Sequence, residues 1–377
     1  MNSKLLGCWL SAALLVSSCI QKEALNSEAA IDACTGPKVQ MVNINHDTKD
    51  VTIDVYSSAD LAHLVLHFVV PEGATLQDKD GTLIQDTIFN FSMVGHSQQL
   101  TVTSEDKVYK ADYNVKVRSL VRIPLLYHFE RLVQSAPYHI LEEIDSEQGD
   151  TLIWQSGNPG YQLTMQAKSP EDYPTVQVAD GYAGRGVKLE TRSTGGFGAM
   201  VKMYIAAGNL FIGSFSVGNA LNNALKATRF GMQFGRQPIA LRGYYKYKAG
   251  AIYTEAQKPV TGKKDRFDIY AIMYEADDPG FMLDGTNALT DPSLVGVAQI
   301  AASDAVEAAN WTKFDLPFVL KAGKSIDKEK LRDGKYKLGI VFSSSVDGGK
   351  FSGAVGSTLY IDEVELVCEE EESGDEQ

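Results

Sequence analysis

Histidine is absent from the greater part of this 377-residue chain: His46, His63, His67, His96, His128 and His139 all lie within the first 139 residues. A Ser-His-Asp triad or a His-ligated zinc built wholly from the residues beyond is therefore excluded. Cysteine is nearly as scarce, with four in the chain, and no CxxC or Cys/His metal spacing occurs. Cys34 and Cys368 flank almost the whole strand-rich region. A disulfide between them would need its two ends within about 7 Å, Cα to Cα, so two separate thiols is the preferred reading. Long apolar runs are missing too, apart from Leu5 to Val16. That run is too short to span a bilayer, which takes roughly 20 residues, and no transmembrane helix is expected. Bases are outnumbered, 35 Lys and Arg against 48 Asp and Glu, for a net charge of −13. That balance argues against nucleic acid as a partner. Residues 369–377 hold six acids and no base and read as a solvated, disordered tail.

What is present begins at the N-terminus. Lys4, the apolar run and the small pair Ser17-Ser18 form a secretory signal. Val16-Ser17-Ser18-Cys19 resembles a bacterial lipobox. The resemblance implies cleavage after residue 18 and acylation of Cys19. Each buried CH₂ contributes about 0.8 kcal/mol, so several acyl chains would hold the protein on a membrane. The expected location is the outer membrane, facing the cell surface or the periplasm. An ordinary signal cut nearby would leave Cys19 incidental. Residues 19–36 read as a polar tether, with a short helix an alternative around 24–33.

Residues 37–120 alternate with a period of two, as in Val39–Ile44, Val51–Val55, Gln99–Thr103 and Tyr113–Val117. Turn signals separate them at Pro71-Glu72-Gly73, Asp80-Gly81 and Ser104-Glu105-Asp106. Strands at this spacing indicate a small β-sandwich. The order Pro71-Glu72-Gly73-Ala74-Thr75, Asn90-Phe91-Ser92, Leu100–Asp106, Tyr113-Asn114-Val115 resembles an immunoglobulin-like module of Bacteroidetes surface lipoproteins. Such modules usually act as spacers.

Residues 125–368 form a larger region with strands legible at Gly186–Thr191, Phe211–Val217, Leu241–Tyr247, Phe267–Glu275, Thr312–Phe318, Tyr336–Ser343 and Ser357–Val367. Ala220–Thr228 reads as a short helix or loop. So many strands predict a jelly-roll sandwich and an all-β chain. Several motifs carry a resemblance: His128-Phe129-Glu130, Trp154–Asn158, Tyr173-Pro174-Thr175, Gly184–Leu189, Ala206–Gly213, Gly243–Tyr247 and Ser357–Val364. Their order resembles the "putative carbohydrate metabolism domain" of Bacteroidetes lipoproteins and, more loosely, jelly-roll carbohydrate-binding modules. The resemblance implies a glycan ligand, and other outer-membrane glycan-uptake proteins as partners.

Alternation along the last strand predicts Tyr360, Asp362, Val364 and Leu366 on one apolar face, with Asp362 a buried carboxylate. Related binding modules use such an acid, with a glutamate near the domain start, for structural Ca²⁺. Glu130 takes the matching position, so Glu130 and Asp362 are the candidate metal ligands, and hydrogen bonding of Asp362 to backbone N–H groups or an Arg is the alternative. Glu363 and Glu365 lack the spacing of jelly-roll glucanases, and no carboxylate pair marks a catalytic site. The glycine runs Gly181–Gly186 and Thr194–Gly198 are expected to lead into strands, which speaks against a nucleotide site. Aromatics are the better lead, because sugar rings stack on Tyr and Trp. Trp154, Tyr161, Tyr173, Tyr182, Tyr244 and Lys246 are the candidate ligand contacts, with Tyr245 and Tyr247 assigned to packing. The expected function is non-covalent glycan binding by a lipid-anchored protein. The alternatives are a glycoside hydrolase using acids of the same domain, or a structural or adhesion subunit without a sugar site.

Overall fold

The computed structural model describes residues 25–369, apart from 56–58, 85–86, 94, 120–122, 135, 145–150, 279 and 333. The signal, Cys19 and residues 370–377 of the acidic tail lie outside the described residues. The expected tether is shorter than the sequence suggested. Ile31 and Cys34 are buried, and Ala33–Thr35 pairs with His67–Val69. The helix weighed for 24–33 is absent among its described residues, because Ile31 finds an apolar core to enter.

The first unit is a five-stranded sheet of β1 (Val39–Asn45), β2 (Asp50–Val55), β3 (Thr75–Asp78), β4 (Ser97–Thr103) and β5 (Lys110–Ser119). Their spatial order is β1-β2-β5-β4-β3, parallel only between β2 and β5. One face buries Val51, Ile53, Leu100, Val102, Tyr113 and Val115 against Leu64, Leu66, Phe89 and Phe91. The alternation read in the sequence is thus the signature of a sheet wet on one side.

The larger unit contains β6 (Thr175–Val178), β7 (Gly186–Glu190), β8 (Asn209–Phe211), β9 (Pro238–Lys248), β10 (Asp268–Glu275), β11 (Leu294–Gln299), β12 (Ala308–Pro317), β13 (Tyr336–Ser343) and β14 (Thr358–Cys368). They form two antiparallel sheets. The first runs β6-β7-β14-β9-β12, with Leu126–Tyr127 also paired to β14. The second runs β8-β13-β10-β11 and continues to Val319–Leu320. Leu241, Tyr245, Tyr247, Leu359, Ile361 and Phe314 from the first sheet meet Ile269, Ala271, Leu338, Ile340 and Phe342 from the second in one core. This is the all-β sandwich expected for the region.

The two sheets differ in what covers their outer faces, and the sequence carries the difference. Strand β9 alternates between buried and part-exposed residues, as a sheet with one solvated face must. Strands β10 and β13 are buried along nearly their whole length. The reason is a roof over the second sheet. It includes the short helices α1 (Asn158–Gln162), α2 (Gly195–Met200), α3 (Val217–Asn222) and α4 (Ala224–Ala227). Helix α2 corrects the expectation that Thr194–Gly198 leads into a strand: Gly195 takes a positive φ of 64° and turns the chain into a helix instead. Cys34 and Cys368 are free thiols. Among the described residues no helix is long and apolar enough to cross a membrane.

Candidate functional site

The site begins with a fault in the last strand. Opposite β9, Tyr244 pairs with Asp362 while Arg242 pairs with Glu365, so β14 carries one extra residue at this point. Glu363 absorbs it in a left-handed backbone, φ 46°, as at a β-bulge. Leu359 and Ile361 face the core before the bulge, and Val364 and Leu366 face it afterwards. Unbroken alternation had put Tyr360 and Asp362 on the same face as Val364 and Leu366. The bulge instead turns Tyr360 and Asp362 outward, a one-residue phase change that period-two reading cannot see.

Asp362 is nevertheless fully buried, 0% exposed, because the loop 181–186 folds over it. Its Oδ2 accepts hydrogen bonds from the backbone N–H of Tyr182 at 2.6 Å and of Ala183 at 2.9 Å. Its Oδ1 accepts the N–H of Glu363 at 2.8 Å. Burial raises the pKa of this carboxyl, against the pull of those three donors. Glu130 Oε1 accepts the N–H of Arg185 at 2.7 Å, holding the other end of the loop. Between them Gly184 has φ +66° and packs so closely on the Glu130 carboxylate that an added side chain would displace it. Asp362 and Glu130 are the two acids weighed as calcium ligands. Their oxygens point at N–H donors, and among the described residues no three His, Cys, Asp or Glu converge. Hydrogen bonding, set beside calcium for Asp362 in the sequence, is the role this geometry carries.

The pinned loop delivers an aromatic to the outer face of the first sheet. The Tyr182 ring stacks on Tyr244, centroids 3.7 Å apart and planes 8° apart. Trp311 stands at 85° to Tyr182, 6.3 Å away. Strand register places Lys188, Tyr360 and Lys246 in one row across β7, β14 and β9. Lys246 Nζ lies 4.5 Å from the Trp311 centroid and 4.9 Å from that of Tyr360, within cation–π range. Ion pairs of Lys188 with Glu190 (3.2 Å) and Arg242 with Asp315 (3.0 Å) lie on the flanking strands. Tyr182 is 48% exposed. The result is an open shelf with flat rings, a cation and hydrogen-bonding groups.

Three of the six candidate contacts, Tyr182, Tyr244 and Lys246, are brought together here. The other three are elsewhere. Trp154 is 2% exposed and packs on Tyr127, Phe129 and Phe342 in the core. Tyr161 and Tyr173 are buried in a cluster with Tyr138, and the Tyr161 hydroxyl donates to the Ser193 carbonyl. Tyr245 and Tyr247 face the core. Trp311 and Tyr360 are shelf residues that the sequence reading missed. The alternation phase set by Lys246 and the strand register would have found them.

Beside the shelf, His128 Nδ1 lies 3.0 Å from Glu363. Burial lowers the imidazole pKa, but Glu363, with Glu143 and Asp362, raises it overall. Glu143 is buried and accepts the Phe129 N–H at 2.5 Å. Burial pushes its carboxyl up to about 7.

The family to which this all-β domain belongs is carbohydrate-related. Residues 128–367 match the family described as "Putative carbohydrate metabolism domain", and the chain belongs to it. A crystal structure from Bacteroides thetaiotaomicron, described as a "putative glycoside hydrolase", is 46% identical with a TM-score of 0.78. The match covers 93% of this chain and 100% of that one. A protein of the same description from Bacteroides vulgatus is 44% identical with a TM-score of 0.62, over 66% of this chain and 100% of that one. No curated protein matches.

Proposed function

We propose that this protein binds a polysaccharide or glycan non-covalently on the outer face of β7, β14, β9 and β12. The observation that carries the reading is the Tyr182–Tyr244 stack with Trp311 at right angles to it. Pyranose rings present flat C–H faces to such side chains, and their hydroxyls take hydrogen bonds from flanking polar groups. Of the acids on this face, Asp362 is held by backbone N–H groups and Glu363 by His128, and this reading assigns them to holding the shelf rather than to hydrolysis. In this reading a lipid on Cys19 holds the chain at the cell envelope, and the first unit is an immunoglobulin-like spacer that lifts the shelf outward.

Affinity electrophoresis against a panel of plant and host polysaccharides tests the reading. At least one glycan should retard the protein, and Tyr182→Ala or Trp311→Ala should weaken that retardation about tenfold, the loss of one good contact. Retardation by no glycan, or retardation untouched by both variants, overturns it. Release of reducing sugar would move the assignment to hydrolysis.

A further inference from the structure

The roof over the second sheet does not close on it. A cavity of about 440 Å³ remains between them, on the opposite side of the sandwich from the aromatic shelf. Strand register orders its floor in two rows. Asn209, Ser343 and Asp268 stand side by side across β8, β13 and β10, and two residues along come Phe211, Val341 and Tyr270. All six line the cavity. One row is polar and the next apolar, so the chamber has a head end and a body end. Phe197 and Leu289 extend the apolar lining from the roof.

The head end carries unmet demand. Asp268 is buried, and both its oxygens accept from the same uncharged donor, Gln299 Nε2, at 3.2 and 3.0 Å. Among the described residues no Lys or Arg forms an ion pair with it, although Arg266 is near enough to lower its pKa. Burial outweighs both and holds the carboxyl at about 6. Tyr270 is 8% exposed, and among the described residues its hydroxyl has no hydrogen-bond partner. Burial, with the Asp268 charge, keeps that hydroxyl protonated. A buried carboxylate without a cation is costly, and the Tyr270 hydroxyl in the same lining has no partner among the described residues. A ligand that supplies the counter-groups removes that cost. Among the described residues Asp268 is the single acid in the lining.

We infer that this cavity binds a small molecule with an apolar body and one amine head. The head sits against Asp268 and Tyr270, and the body lies over Phe211 and Val341. The site is independent of the glycan shelf. Isothermal titration of the full mature chain at about pH 8, where the carboxyl of Asp268 and that of a free acid are both ionised, tests it. The probes are 4-phenylbutylamine, 4-phenylbutanoate and butylbenzene. The amine should bind saturably at one site per chain, at least about tenfold tighter than the other two. Asp268→Asn should remove that preference, and Trp311→Ala should leave amine binding unchanged. Absence of saturable amine binding, equal binding of the carboxylate, or loss of amine binding in Trp311→Ala overturns the inference. The comparison of the three probes on the unaltered protein decides it even if Asp268→Asn fails to fold.

Discussion

Tyr182 lies flat on Tyr244, ring centroids 3.7 Å apart, although one residue is on a loop and the other on a strand. A loop residue is ordinarily free to leave such a stack. Here the loop is fastened beneath its own aromatic, because Asp362 takes the N–H of Tyr182 and of the next residue. The exposed ring is positioned by a carboxylate that solvent never reaches.

Asp362→Ala should therefore reduce glycan binding without touching the glycan. Three backbone donors would lose their acceptor, at a cost on the order of 3 kcal/mol of stability, and the Tyr182 loop would be released. Urea unfolding and affinity electrophoresis check both effects. An unchanged affinity in folded Asp362→Ala protein would show that the loop holds its position without this carboxylate.

Lys246→Gln should act in the opposite proportion. It removes a cation shared by Trp311 and Tyr360, worth about 0.5–1 kcal/mol at a partly exposed site. Its melting temperature should barely move, while glycan affinity falls several-fold.

Glu143 predicts a pH dependence. Its folded carboxyl titrates at about 7, above the ordinary value of 4.5. A raised carboxyl pKa means that stability is fully present below the unfolded value and is lost as pH rises through the folded one. Thermal stability should decline between about pH 4.5 and 7, and Glu143→Gln should flatten part of that decline. Asp268 and Asp32, each held near 6, would account for slope that remains. An identical slope in Glu143→Gln would refute the assignment.

Trp154→Ala should cost about 3–5 kcal/mol, the usual range for a large aromatic removed from a core. Below its lowered melting temperature the variant should bind glycan as the parent does. A selective loss of affinity would place Trp154 in contact with ligand after all.

Much of the sandwich was legible because local pattern decides it. Observed strands such as Tyr336–Ser343 and Asp268–Glu275 coincide with runs readable in the sequence, and Tyr245 and Tyr247 pack inward, as the wetter character of Lys246 implied. The site was half legible. Tyr244 and Lys246 share an outward phase on one strand, which alternation shows. Trp311 and Tyr360 join them only through strand register, a long-range property. Asp362 is buried and bonded to backbone N–H groups, as one reading of the sequence had it, but on the outer face, because one left-handed residue, Glu363, reversed the phase within the strand. The aromatics of the Gly- and Pro-rich segments divided by what folds over them: Tyr161 and Tyr173 were enclosed, and Tyr182 was left out.

The place of β14 in the first sheet bears on how the protein comes into being. It is the last strand among the described residues, yet it lies in the interior of the sheet, between β7 and β9, and also pairs with Leu126–Tyr127 at the start of the domain. The sheet therefore cannot be completed from the N-terminal side as the chain emerges. Until residues 358–368 arrive, nothing joins the β6-β7 pair to the β9-β12 pair, and the Tyr182 loop has no carboxylate to fasten it. Long-range closure of this kind is slow. A chain truncated before residue 358 should therefore fail as a unit rather than lose one edge, so that the shelf assembles only once residues 358–368 are made.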